Sequence, residues 1–268
     1  GLNETITCKG TWDTLSPPAR CWIAPNGSHG PLDISGAIEH SCNYFFYEVG
    51  YRLSRNNGVY DSDTGLEKLA YYADQFGLSD KSGVEISESA PKVSDFDAIR
   101  SAIGQGTNNY STVGLARYVT TVANSGSCYN LSLLSKATDA DGNLIADYTP
   151  TLRNTVDLKQ STWDAIHQGM RKVVEDKDYY KDLTIQVAGK TGTAQENRKR
   201  ANHALFVCYA PYEQPQIAIA TRIAFGYASD YAAQVTKDIV KYYFKLEDES
   251  SLITGTAEST NVVQSAGD

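Results

Sequence analysis

Apolar residues recur at three- to four-residue spacing in several stretches, and each such stretch predicts a helix with one buried face. Phe45, Phe46, Val49 and Leu53 define the first, which starts at Cys42. Leu66, Leu69, Ala70, Ala73 and Phe76 define the second; Thr64 and Glu67 read as its capping box and Gly77 as its end. The same period predicts helices at 111–124 (Leu115, Val119, Val122), 161–175 (Trp163, Ile166, Met170, Val173) and 229–245 (Tyr231, Val235, Ile239, Tyr242). Short alternating or continuous apolar runs predict strands at 184–193, 204–210 and 216–224, carried by Ile185/Val187, Leu205/Val207 and Ile217/Ile219, with Pro211 and Pro215 as turn signals. Helices that precede consecutive strands, with a helix returning at the end, indicate an α+β fold built on an antiparallel sheet.

The two ends of the chain lack this periodicity. Residues 1–32 are rich in turns (Pro17-Pro18, Pro25-Asn26-Gly27, His29-Gly30-Pro31), so something other than regular secondary structure must hold them. Residues 247–268 are rich in Ser, Thr and Glu and carry no aromatic residue, which predicts a disordered tail.

Composition narrows the function classes. A chain of 268 residues with 41% apolar content has material for a substantial core. The net charge of −8, with scattered rather than clustered Lys and Arg, argues against nucleic acid and anionic membrane surfaces as partners. No apolar run approaches the ~18 residues of a membrane span. The five cysteines, Cys8, Cys21, Cys42, Cys128 and Cys208, are an odd number in a chain too long to need disulfide staples. Three of them fall at or before position 42, which calls for a local explanation.

"VAGKTGTAQ", Val187 to Gln195, invites a test as a phosphate-binding loop, and it fails: Thr184 stands where the first glycine belongs. "GQG" at Gly104–Gly106 fails as a dinucleotide fingerprint because Asn109 replaces the third glycine. Lys190-Thr191-Gly192-Thr193 fits instead a strand beside an active site, where the lysine supplies fixed charge, the hydroxyls supply hydrogen bonds and the bare glycine admits a second backbone. The plain alternative is a surface turn.

Ser41-Cys42-Asn43 precedes Lys190-Thr191-Gly192 in the order used by the penicillin-recognising serine acyl-enzymes. With "HGPLDISGAIEHSCNYFFYEVG", "FGLSDKSGVEI", "AIGQGTNNYSTVGLARYVTTVANSG" and "AGKTGTAQ" followed by "ALFVCYAP", the chain resembles the transpeptidase domain of class B penicillin-binding proteins. The resemblance implies the penicillin-binding transpeptidase/β-lactamase-like fold, an antiparallel sheet with helices on both faces, with residues 1–246 forming the C-terminal two-thirds of the domain. It also implies a peptidoglycan D,D-transpeptidase that cross-links stem peptides ending in D-Ala-D-Ala through an acyl-enzyme and is acylated by β-lactam antibiotics. Such an enzyme acts on the extracytoplasmic face of the bacterial membrane, anchored by an N-terminal segment and partnered by a membrane glycosyltransferase.

Residue by residue, the resemblance makes Ser41 a proton relay tuned by Lys190 and gives Asn43 a hydrogen bond to the substrate amide. Thr191 meets the terminal carboxylate beside Gly192, and the Thr193 backbone N–H forms half of an oxyanion hole. The attacking serine belongs to a Ser-x-x-Lys element expected upstream of Gly1, in a missing N-terminal part of the same protein. The chain's own Ser89-Ala90-Pro91-Lys92 is unsuitable, because Pro91 keeps Ala90 out of helical geometry. A β-lactamase and a non-catalytic β-lactam or peptidoglycan sensor are the alternative functions.

Cys42 makes a poor nucleophile, since His40, two residues away, points elsewhere on a helix. Cys8, Cys21, His29 and Cys42 together make a Cys3His set suited to structural zinc, although their spacing matches no compact zinc finger. They resemble the ligands of a zinc-containing subset of the same family, which often uses aspartates at the first two positions. A Cys8–Cys21 disulfide, or free thiols, are the other readings. His40, His167 and His203 form no triad, and Cys128 and Cys208 read as packing residues.

Overall fold

The computed structural model describes residues 1–2, 4–196 and 199–253. In chain order, strands β1 (Ile6–Cys8), β2 (Thr11–Trp12), β3 (Ala19–Arg20) and β4 (Gly30–Leu32) precede helices α1 (Ile34–Glu39) and α2 (Asn43–Leu53). Strands β5 (Arg55–Asn56) and β6 (Val59–Tyr60) lead into helices α3 (Ser62–Gln75), α4 (Ala98–Ser101) and α5 (Thr112–Ala123). Then come β7 (Ser127–Asn130), β8 (Lys136–Thr138), β9 (Leu144–Asp147) and β10 (Thr151–Thr155), followed by α6 (Gln160–Glu175). The chain closes with β11 (Ala188–Ala194), β12 (His203–Ala210), β13 (Ile217–Ile223), α7 (Ser229–Tyr243) and α8 (Glu249–Leu252). Thus α8 lies at the start of the Ser/Thr/Glu-rich tail, and residues 254–268 of that tail lie outside the described residues.

Two units divide the chain, one of residues 1–46 and 164–268, the other of residues 47–163. The first is built on an antiparallel sheet of order β11-β12-β13, in register from Ala188↔Tyr209 through Ala194↔His203. Alternation along β12 sends Ala204, Phe206, Cys208 and Ala210 into a core shared with Ala232, Ala233 and Val240 of α7. Tyr209, on the opposite face, meets His167 of α6 with ring centroids 5.7 Å apart. Helices therefore cover both faces, as the resemblance implies.

In β11, Gly189 is a packing requirement: an added Cβ would lie 2.5 Å from Phe206 Cζ and 2.8 Å from Val207 O. The strand begins at Ala188 rather than at residue 184, because residues 184–187 run in before the ladder with β12 starts.

Helix α1 is the element that periodicity alone does not reveal. Asp33 caps it by accepting from the Gly36 N–H at 2.8 Å. Ser35 Oγ donates to Ala165 O of α6 at 2.8 Å. Gly169 of α6 lets the two helices touch, since a Cβ there would sit 2.8 Å from Ile38 Cβ and 2.9 Å from Ser35 O.

The second unit centres on Arg117 of α5, whose side chain is fully buried. Its guanidinium donates to the carbonyls of Gly77, Asp80 and Lys81 and pairs with the Asp80 carboxylate at 2.7 Å. Gly77, at φ +71°, ends α3 as the sequence predicts; a Cβ there would meet Arg117 Nε at 2.6 Å. The start of α3 differs from expectation: Asp61 is the cap, and the Thr64 hydroxyl donates to its carboxylate at 2.7 Å from inside the helix. Because Arg117→Met leaves the carbonyls of Gly77, Asp80 and Lys81 without their donor, it should destabilise the fold by roughly 2–5 kcal/mol in denaturant unfolding. A loss below about 1 kcal/mol would show that the network contributes little.

Candidate active site and thiol–imidazole cluster

The turn from α1 into α2 sets the site's geometry. His40 is the C-cap of α1, Ser41 N–H bonds Ile38 O at 3.2 Å and Cys42 N–H bonds Ala37 O at 3.0 Å. These two bonds make a Schellman motif, in which the residue after the cap is usually glycine because it adopts left-handed geometry. Here that residue is Ser41, at φ +51°. An L-residue in this region costs ~1–2 kcal/mol, so surrounding contacts must hold it there. Cys42 follows with no exposed surface, and Phe46 N–H bonds its carbonyl at 3.4 Å as α2 begins. Asn43 is half-buried at the first position of α2.

The left-handed turn aims the Ser41 hydroxyl at β11. Lys190 Nζ donates to Ser41 Oγ at 2.5 Å, to Thr191 O at 3.0 Å and to Thr191 Oγ1 at 3.2 Å. A serine and a lysine 149 positions apart thus share a proton-bearing contact. β11 is the edge of its sheet, paired with β12 alone among the described residues. At Gly192 an added Cβ would meet only Leu205 Cβ, at 3.4 Å, so the fold itself does not require this glycine. Thr193 Oγ1 is buried without a hydrogen-bond partner. An open edge, a glycine the packing does not demand and an unsatisfied hydroxyl suit the addition of an extended chain.

The four predicted metal donors converge. β1 pairs with β4 so that Cys8 lies opposite Gly30, next to His29, while the β2–β3 hairpin delivers Cys21, whose N–H bonds Gly10 O at 2.8 Å. The ligand atoms of Cys8, Cys21, His29 and Cys42 all lie within 4.8 Å of one another. All three sulfurs belong to buried residues, and all the cysteines are unbridged. His29 Nδ1 is 3.6 Å from Cys21 Sγ, and its Nε2 is buried without a partner.

The charge state of this cluster is unsettled by its own geometry. A hydrogen bond from Cys42 pulls the Cys21 thiol down to about 4, while the same contact and burial push Cys42 well above the usual thiol range. A divalent cation removes that conflict, because each thiol can then ionise. The edges of a tetrahedral thiolate site are about 3.8 Å from 2.3 Å bonds, which this spacing accommodates. The donor set therefore fits zinc.

The contacts of Trp22 and His40 with this cluster went unread in the sequence. Trp22 stands edge-on to His29, 5.3 Å between centroids, and its Nε1 donates to His40 O at 3.1 Å. The His40 ring stacks on His29 at 5.6 Å. No spacing rule announces these contacts. Glu39, His40 and Asp176 also gather donor atoms, but Lys172 Nζ stands 3.4 Å from Glu39 Oε2 and His40 and Asp176 are exposed, which marks a solvated ion-pair group. His203 is a buried residue at the start of β12, where Nε2 is 2.7 Å from Glu196 Oε2 and Nδ1 accepts from Phe225 N–H at 3.1 Å. Ser89 is exposed in a non-helical stretch and Lys92 bridges to Asn109, so that pair is no nucleophile–base dyad.

Comparison with known proteins places the chain in a family. The family model described as penicillin binding protein transpeptidase domain matches residues 2–241. Penicillin-binding protein 2B of Streptococcus pneumoniae is 25% identical over 91% of this chain, and the peptidoglycan D,D-transpeptidase MrdA of Haemophilus influenzae is 28% identical over 90%. The chain spans only 40% and 41% of those two relatives. Among solved structures, penicillin-binding protein 2B of Streptococcus pneumoniae superposes with a TM-score of 0.78 at 24% identity, over 92% of this chain and 44% of the other. Penicillin-binding protein A of Mycobacterium tuberculosis, as an imipenem acyl-enzyme complex, superposes with a TM-score of 0.77 at 20% identity, over 91% and 55%.

The two glycines of β11 should respond oppositely to a methyl group. Gly189→Ala should lower the unfolding free energy by roughly 1–3 kcal/mol through overpacking, whereas Gly192→Ala should change it by less than ~0.5 kcal/mol. Ser41→Gly should raise stability by ~0.5–1 kcal/mol by relieving left-handed strain. Denaturant midpoints of the three variants check both points, and a destabilised Ser41→Gly protein would refute the strain.

Proposed function

The chain belongs to the penicillin-binding protein transpeptidase domain family, and on that premise we propose that it forms part of a serine-type peptidoglycan D,D-transpeptidase. The single observation that carries this reading is the Ser41–Lys190 contact beside the open edge of β11. A stem peptide ending in D-Ala-D-Ala lies extended along that edge. Its terminal carboxylate meets the Thr191 hydroxyl and the Lys190 charge, and Gly192 lets its backbone approach. Asn43 bonds a substrate amide from the first turn of α2.

This reading assigns neither the attacking serine nor its lysine base to the chain's Ser89-Ala90-Pro91-Lys92. Acylation releases the terminal D-Ala, and the acyl group then passes to an amine of a neighbouring strand. Lys190 donates to Ser41 Oγ, so Ser41 is oriented to hand a proton onward while the lysine charge favours the developing oxyanion. The Thr193 backbone N–H supplies one oxyanion donor. β-Lactams acylate the same serine. The enzyme works on the extracytoplasmic face of the membrane beside a membrane glycosyltransferase; one structural neighbour is a peptidoglycan synthase complex and another is a complex of PBP2 with MreC from Helicobacter pylori.

Zinc held by Cys8, Cys21, His29 and Cys42 is the structural cofactor in this reading. It takes no part in bond making; it neutralises the thiolates and cross-links residues whose strands are too short to hold themselves. The supporting observation is the convergence of the four donors around a residue bonded directly to Ser41. Elemental analysis should find one zinc per chain and its loss in Cys42→Ser.

Fluorescent penicillin should label the full-length protein, and Lys190→Ala should slow labelling by on the order of 10²-fold or more, as loss of a charge acting at the reacting centre does. Labelling unaffected by Lys190→Ala overturns the assignment. An adduct that hydrolyses within minutes identifies a β-lactamase, and an upstream sequence without Ser-x-x-Lys identifies a sensor.

A further inference from the structure

We propose that Cys21 and Cys42 form an oxidisable pair: a peroxide joins them as a disulfide, releases the metal and displaces Ser41 from its contact with Lys190. The metal in this proposal rests on the zinc reading above, whereas the bond rests on the cysteine geometry alone.

Thiols at positions 8 and 21 give this cluster a chemistry that carboxylates at the same positions lack, because a thiolate can lose electrons to a peroxide and a carboxylate cannot. The pairing follows from contact. The thiols of Cys21 and Cys42 lie within 4.8 Å of each other, as do all four donor atoms, and Cys42 is the thiol whose turn carries Ser41. A disulfide requires its sulfurs to close to ~2.05 Å, so one of the two residues must move.

Cys21 is held in a turn on both sides, its N–H on Gly10 O at 2.8 Å and its carbonyl accepting from Ala24 N–H at 3.0 Å. Cys42 is held likewise, its N–H on Ala37 O at 3.0 Å and its carbonyl accepting from Phe46 N–H at 3.4 Å, directly after the left-handed Ser41. Closure therefore strains both turns, and the one that carries Cys42 transmits the movement to Ser41.

The chemistry balances. Peroxide oxygen takes the electron pair of one thiolate to give a sulfenic acid and hydroxide, and the second thiolate attacks that sulfur and expels a second hydroxide. Two protons convert the hydroxides to water, so two thiolates and hydrogen peroxide yield one disulfide and two waters. With two ligand charges gone, zinc leaves as the aqua ion. Thiol reductant with added zinc reverses the process.

Hydrogen peroxide applied to the purified chain is the test, read by a colorimetric zinc chelator and by intact and peptide mass spectrometry. One zinc should leave per disulfide formed, with mapping to Cys21–Cys42. In the double variant Cys8→Asp, Cys21→Asp the zinc should stay, with peroxide-driven release at least tenfold slower. In the complete protein, oxidation should suppress penicillin labelling, and dithiothreitol with zinc should restore it.

Mapping to Cys8–Cys21, zinc retained after the disulfide has formed, or equal release from the double variant would each overturn the proposal. A chain that purifies without zinc yet forms Cys21–Cys42 refutes the metal reading and upholds the pairing.

Discussion

One backbone conformation governs this site: the left-handed turn at Ser41, where α1 stops and α2 starts. Two Schellman hydrogen bonds define it, and glycine, the residue that would adopt it without strain, is absent. A serine there carries a hydroxyl that glycine lacks, and the turn points that hydroxyl at Lys190. The strain and the chemistry reside in the same residue. Neighbours resist relaxation on both sides, since α1 is locked to α6 through Ser35 and Gly169 and Cys42 is sealed from solvent.

The opposite wall is built on different physics. β11 is held by a full antiparallel register with β12, and β12 is backed by the apolar face of α7. Lys190 and Thr191 therefore inherit their positions from the core. The two glycines of this strand differ in what surrounds them: Gly189 is bare because Phe206 and Val207 O occupy the space, while a Cβ at Gly192 would meet only Leu205 Cβ, at ordinary contact distance. A glycine that packing does not explain, on an edge strand beside a lysine and an unsatisfied threonine hydroxyl, fits the extended peptide proposed to lie along that edge.

Much of this architecture was legible in the sequence, and the failures have physical causes. The amphipathic helices α3, α5, α6 and α7 and the strands β12 and β13 follow from periodicity, because each buries one face. Helix α1 escaped because its end carries Ser41 where a glycine would have signalled a cap. The β7–β10 and β8–β9 pairs escaped because Leu144, Ile145 and Leu152 are exposed, so no in–out alternation marks them. Neither the Ser41–Lys190 contact nor the cysteine cluster is written in local spacing. The first was legible only through the order of motifs along the chain, since residues 149 positions apart meet through tertiary packing, and the second through its donor types, three cysteines and a histidine in and beside a turn-rich segment. The contacts of Trp22 with His29 and His40 had no sequence signal at all.

The site's two walls therefore differ in what they depend on. β1 to β4 are strands of two or three residues each, far below what makes an isolated pair stable in water. Under the zinc reading a coordination centre with ~10–16 kcal/mol of apparent binding free energy organises them, against a left-handed penalty of ~1–2 kcal/mol at Ser41. The excess means that the strained turn survives as long as all four donors are engaged, and that losing any one releases more than strain. The lysine wall stays put in either case, because no donor of the cluster lies on β11, β12 or α7. In the proposed enzyme, control over the reacting geometry thus concentrates in the wall that carries Ser41, where a change at Cys42 is transmitted through a single peptide bond.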